Sequence, residues 1–158
     1  MIRKRYYALG ALAAVGLTLA VAGSVGAQSG GDRAIFAVMT GAKEVDVNGN
    51  HGTGDANGRG SFSATLDRRQ LCYGIQVKNI NNPVAAHIHR GGPDVAGPVI
   101  QALEQPATGD PGASSECVRI SRSLARGLRR NPSRFYVNVH TADLPNGAVR
   151  GQLFARSR

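Results

Sequence analysis

Tryptophan is absent from this chain, and only four tyrosines and four phenylalanines supply aromatic surface. With so few rings, and no aromatic–basic stacking pattern, stacking on exposed nucleic-acid bases finds no support. Also missing are a Gly-x-Ser-x-Gly elbow, a P-loop and the glycine fingerprint of a dinucleotide fold, so hydrolase and transferase readings find no support. Acids are scarce too, ten Asp and Glu against nineteen Lys and Arg. Asp94 and Asp143 stand singly beside the histidine segments, so no acidic pair is placed there for general acid–base work. After the first stretch of the chain no apolar run is long enough to span a bilayer. The fold that remains is not an enzyme by any motif it carries.

The one long apolar run reads as a processing signal. Arg3-Lys4-Arg5 is a basic leader, Ala8 to about Ala22 is rich in Ala, Leu and Val, and Val25-Gly26-Ala27 supplies small residues for a peptidase. Cleavage is placed between Ala27 and Gln28, which makes 1–27 a signal peptide and the protein secreted or otherwise extracytoplasmic. The alternative is a retained membrane anchor. No cysteine follows the run, which argues against a lipoprotein. From Gln28 to Arg158 the length suits a single domain, with its core at about 34–155.

Two cysteines, Cys72 and Cys117, fall in this part. In an oxidising compartment an even count points to a disulfide. Closing so long a loop stabilises the fold by about 4 kcal/mol in the chain-entropy model.

Charge is uneven. Arg119, Arg122, Arg126, Arg129, Arg130, Arg134, Arg150, Arg156 and Arg158 crowd the last quarter, where Asp143 is the only acid. Such a face attracts acidic polymers or stays solvated; export argues against a nucleic-acid partner.

Short alternating runs dominate the rest. Ala34–Thr40, Ser61–Leu66, Leu71–Val77, Val84–Arg90, Gly97–Leu103, Cys117–Ile120, Arg134–His140 and Ala148–Phe154 read as strands between turns rich in Gly, Pro, Asn and Asp. Asp67–Gln70 makes a hairpin turn, and Asn146-Gly147 signals another tight one. Ser121–Arg130 is the one helical segment, capped by Ser123 and stopped by Asn131-Pro132. Gly41–Gly60 and Glu104–Ser115 read as loops, the first polar and flexible. Its Asp46-x-Asn48-x-Asn50 start invites calcium but fails the EF-hand spacing at His51 and Asn57, so calcium is not expected. The pattern predicts an all-β fold, an antiparallel sandwich or barrel with one short helix.

Three of the four histidines lie in two of these strands. Alternation puts His87 and His89 on one face, opposite Ile88, and groups Tyr136, Asn138 and His140 opposite Phe135, Val137 and Val139. With the branched residues in the core, the three imidazoles gather on the outer face. Such a set suits zinc or copper, with His51 as a candidate fourth ligand. The competing reading is structural: the imidazoles hydrogen-bond loops and each other, Asn138 and Thr141 join that network, and Arg150 pairs with an acid such as Asp94 or Asp143.

Thr40-Gly41-Ala42-Lys43-Glu44-Val45, Ala86-His87-Ile88-His89, Gly97-Pro98-Val99, Tyr136–Thr141 and Pro145–Leu153 together resemble the CHRD domain, named after chordin and found in many bacterial secreted proteins. The resemblance runs from about Phe36 to Phe154. It departs after Glu44-Val45, where the family usually continues with prolines and this chain has Asp46-Val47-Asn48. The cysteine pair is similar to that of a bacterial subset. The resemblance implies an immunoglobulin-like or Cu/Zn superoxide-dismutase-like sandwich with no agreed enzymatic activity. In chordin such modules belong to an extracellular protein that binds growth factors, a partner that fold analogy alone would carry over. A dinuclear dismutase needs more imidazoles than this chain has. Three functions remain in order: a secreted, non-enzymatic binding module with a histidine metal site, an adhesive envelope protein using its arginine face on an extracellular protein or acidic polymer, and a mononuclear copper dismutase-like enzyme.

Overall fold

The computed structural model describes residues 32–155, so the leader and the Ala27/Gln28 junction lie outside the described residues. The described residues form nine strands: β1 (Arg33–Thr40), β2 (Arg59–Asp67), β3 (Gln70–Lys78), β4 (Pro83–Arg90), β5 (Val99–Leu103), β6 (Gly112–Arg119), β7 (Phe135–Thr141), β8 (Val149–Gln152) and β9 (Phe154–Ala155). One helix, α1 (Arg122–Arg130), stands between β6 and β7. All pairings are antiparallel, in the order β5-β4-β7-β8-β1-β2-β3-β6, with β9 on β1. The sheet curls into a nearly closed barrel, as the expected class requires.

Sequence alternation sets the register. Phe62, Ala64 and Leu66 of β2 face Ile75, Tyr73 and Leu71 of β3 across the hairpin, and all six are buried. A one-residue slip would turn every one of them to solvent, which is why this hairpin has one register. Ile35, Ala37 and Met39 of β1, Ala86 and Ile88 of β4, and Val137 and Val139 of β7 fill the same interior. Leu124, Ala125 and Leu128 of α1 join it, and Gly127 lets the helix lie against the Phe135 ring. A side chain on Gly127 would collide with that ring.

Cys72 and Cys117 face each other across β3 and β6 and are disulfide-bonded. Three local expectations need correction. The helix is capped by Ser121, whose Oγ accepts from Leu124 N at 3.1 Å, and not by Ser123; one Oγ must sit three residues before its donor, and Ser123 is already inside the helix. Gly112–Ser115 is strand rather than loop, because β3 offers it a continuous ladder from Val77 to Gly74. The segment after Gly41 is also tied down. Gly52 N donates to Glu44 O, Val45 bridges His51, and the Asp46 carboxylate accepts from Asn48 and Asn50.

Candidate metal centre

β4 and β7 lie side by side, with His87 opposite Asn138 and His89 opposite Tyr136. That register sets His140 diagonal to His87, close enough for side chains to meet. The three imidazoles each present a ring nitrogen, and these atoms lie within 4.8 Å of one another. The expected face is right, but its exposure is not. His89 and His140 are buried and only His87 is half-buried, so the cluster is no surface patch. Two loops, 41–58 and 91–98, lie over this second face, and every residue of β7 is buried as a result.

Hydrogen bonds decide which nitrogen each ring has to offer. His89 Nδ1 donates to Gly97 O at 2.9 Å, and His140 Nδ1 donates to Pro145 O at 2.9 Å. A carbonyl only accepts, so both rings carry their proton on Nδ1 and keep a lone pair on Nε2. His140 Nε2 sits 3.0 Å from His87 Nδ1. His89 Nε2 is buried with no partner at all. Tyr136 fixes the His89 ring by stacking at 4.7 Å between centroids, and the Arg150 guanidinium covers the other face of that phenol at 3.5 Å.

The rings are held neutral. Burial drives His89 down to about 4, and burial followed by the neighbouring His140 lowers His87. His140 is lowered by burial. A pair of nitrogens on one tetrahedral zinc ion stands about 3.3 Å apart at ordinary Zn–N bond lengths, close to the His87–His140 separation. Carbonyls holding the far nitrogens of two rings are what orients imidazole ligands in metal sites.

Other residues fall differently. His51 is not in the cluster; its Nε2 lies 3.2 Å from the Asp94 carboxylate on the exposed rim, joining the two covering loops. Arg150 is buried and pairs with neither Asp94 nor Asp143 as a contact. Its Nη2 donates to the carbonyls of Gly92 and Val95, which the 91–98 loop turns inward. Thr141 Oγ1 accepts from Leu144 N and so serves the turn, not the imidazoles. Asn138 Nδ2 donates to Glu44 Oε2 at 3.1 Å.

Glu44 is the residue sequence reasoning passed over. It is 2 % exposed, and burial pushes its carboxyl up to about 7 against the opposing pull of Arg150 and Asn138. Space for it comes from Gly147, where any side chain would strike the Glu44 carboxylate. That glycine also has φ +140°, a conformation other residues rarely adopt. Asn146-Gly147 thus ends a turn closed by Gly147 N on Leu144 O, within a longer connection between β7 and β8, and is not the centre of a two-residue hairpin. The sequence signal for Glu44 was its place in the Thr40–Val45 motif that resembles the family, which assigns it no role.

The family model of the CHRD domain matches residues 35–153. Comparison with curated proteins and with solved structures finds no match.

Proposed function

The chain belongs to the CHRD-domain family, and from that premise we propose that it is a secreted, non-enzymatic binding module holding one zinc or copper ion on His87, His89 and His140. The observation that carries this reading is the buried, unpartnered Nε2 of His89 beside two imidazoles whose nitrogens converge with it. A neutral lone pair sealed from water costs stability unless something meets it. A cation shared with His140 and His87 would use all three lone pairs at once, His87 shifting its proton to Nε2. Neutral imidazole suits either metal. The disulfide and the family are compatible with an extracellular location. Support for a non-enzymatic binding role comes from the CHRD family.

The test is metal content and Zn(II) or Cu(II) affinity of the purified protein beside a His87→Ala/His89→Ala variant. One metal per chain, lost in the variant, is expected. Because burial lowers all three rings below the ordinary histidine value, binding should persist to lower pH than at exposed histidine sites. Absence of stoichiometric metal in a variant-sensitive site would make the three rings scaffold.

A further inference from the structure

The first turn of helix α1 runs against the helix dipole, while Arg129 and Arg130 in its last turn run with it. Arg122 opens the helix, where the dipole disfavours a cation, and its first turn holds no acid. Arg122, Arg126 and Arg130 recur every fourth residue, so like charges stack along one exposed stripe. Among the described residues no ion pair joins Arg122, Arg126 or Arg130 to an acid, and the His51–Asp94 contact lies on another part of the surface. Arg119 is exposed at the end of β6, just before the cap, and Arg68 is exposed in the β2–β3 turn that Arg129 grips through the carbonyls of Leu66 and Arg68. Leu124, Ala125 and Leu128 anchor the opposite side of the helix in the core, so the stripe is a fixed platform and not a floppy tail. A local arrangement that costs folding free energy without compensation in the fold is a mark of a functional surface.

We propose that this stripe, Arg122, Arg126 and Arg130 with Arg119 and Arg68 beside it, docks a soluble linear polyanion bearing phosphate groups. Successive arginines of the stripe rise about 6 Å along the helix, which suits a chain with closely repeated charges better than a single small anion. Guanidinium forks match phosphate oxygens in pairs. The exposed large apolar residues are Val38, Val47, Val84, Val95, Val99 and Phe154, none of them on α1. The stripe therefore lacks the apolar wedge that a membrane-lying helix inserts and the aromatic or aliphatic anchor of a protein interface.

The experiment uses the purified exported protein and long-chain inorganic polyphosphate, titrated between about 50 and 200 mM NaCl. The variant Arg122→Gln/Arg126→Gln/Arg130→Gln should bind at least about tenfold more weakly and show a shallower dependence of log affinity on log salt. Its melting midpoint should hold or rise, since repulsion is relieved, which separates lost binding from lost folding. A second triple, Lys43→Gln/Arg59→Gln/Lys78→Gln, removes equal charge; Arg59 and Lys78 pair at the far end of the β2–β3 hairpin from α1. It should bind within about twofold of the parent. Equal loss in both triples would overturn the proposal in favour of net charge alone. Binding to phosphatidylglycerol vesicles but not to polyphosphate would overturn it in favour of a membrane surface. No binding at the lowest salt would overturn it outright.

Discussion

Strands β2 and β7 both alternate polar and apolar residues, yet β2 is buried at every second position over most of its length and β7 at every one. In β2 the polar set is Ser61, Ser63 and Thr65, small groups that face water. In β7 it is Tyr136, Asn138 and His140, large groups with rings and amides, and two loops close over them. The comparison teaches that alternation locates the faces of a strand but not what lies beyond the second face. Polar residues that water could solvate need no partners; those under a cover lose water and need them, and there His89 Nε2, Glu44 Oε1, Asn138 Oδ1 and Arg150 Nη1 have none. The covered half of the barrel is consequently where Glu44, Asn138, Arg150 and the three histidines concentrate, and the open half is held by apolar packing and a disulfide.

The sharpest way to break the comparison is to take one partner from the covered face. Arg150→Met should destabilise the fold by about 1–3 kcal/mol at pH 8, because Glu44, charged there, loses the field of a buried cation and buried acceptors are left unmet. The carbonyls of Gly92 and Val95 lose their donor in the same step. Urea denaturation of Arg150→Met, Glu44→Gln and the double variant checks this. The double should cost clearly less than the sum, since neither buried charge is then left alone. Strict additivity would mean that the two side chains do not share an environment.

On the open half the corresponding test is Cys72→Ser/Cys117→Ser. Losing a crosslink across 45 residues of sequence should cost about 2–4 kcal/mol. Metal affinity should stay the same, because the disulfide joins β3 to β6 while the histidines sit on β4 and β7. A variant that loses metal along with stability would show that the two halves are coupled more tightly than their separate contacts imply.

The covered face should also answer to pH, through opposing contributions. His87, His89 and His140 have folded values below the ordinary one, so the unfolded chain binds more protons and stability falls as pH drops below about 6.5. For His89, whose folded value is about 4, this loss amounts to at most about 3 kcal/mol once both states are protonated. Glu44 works the other way. Its folded value of about 7 lies above the usual carboxyl range, so it contributes stability at low pH that is lost as pH rises through 7. Three groups outweigh one, and the metal-free protein should weaken between pH 6.5 and 4. Glu44→Gln should make that acid loss steeper. A curve unchanged by the substitution would place the Glu44 carboxyl in water.

Much of this was legible in the sequence, and the illegible part has a common cause. The β2–β3 hairpin, the Cys72–Cys117 pair and the shared face of His87, His89 and His140 follow from period-two alternation and an even cysteine count, which are local signals. Glu44 and the carbonyls that hold Arg150 depend on how 41–58 and 91–98 fold back, and no periodic pattern encodes that. Gly147 is the nearest thing to a trace: a turn glycine needed for its positive φ also clears room for a carboxylate from the far end of the chain. Ser121 and Ser123 show the same limit on a smaller scale. Either serine could cap a helix, and the choice fell to the one whose backbone was still extended on leaving β6.

The smallest effect belongs to His51, which the sequence groups with the other histidines and the fold does not. His51→Ala removes only a rim contact to Asp94 between side chains that are 51 % and 78 % exposed. Such a pair contributes no more than about 0.5 kcal/mol, because water and salt screen it and two free side chains must be ordered to make it. The variant should therefore keep the parent's stability and its metal affinity, within about twofold by calorimetry, and differ most at low salt. A loss of metal comparable to that of His87→Ala/His89→Ala would mean that the 41–58 loop swings His51 inward when the ion binds. The difference between a covered face and its rim would then be one of state and not of position.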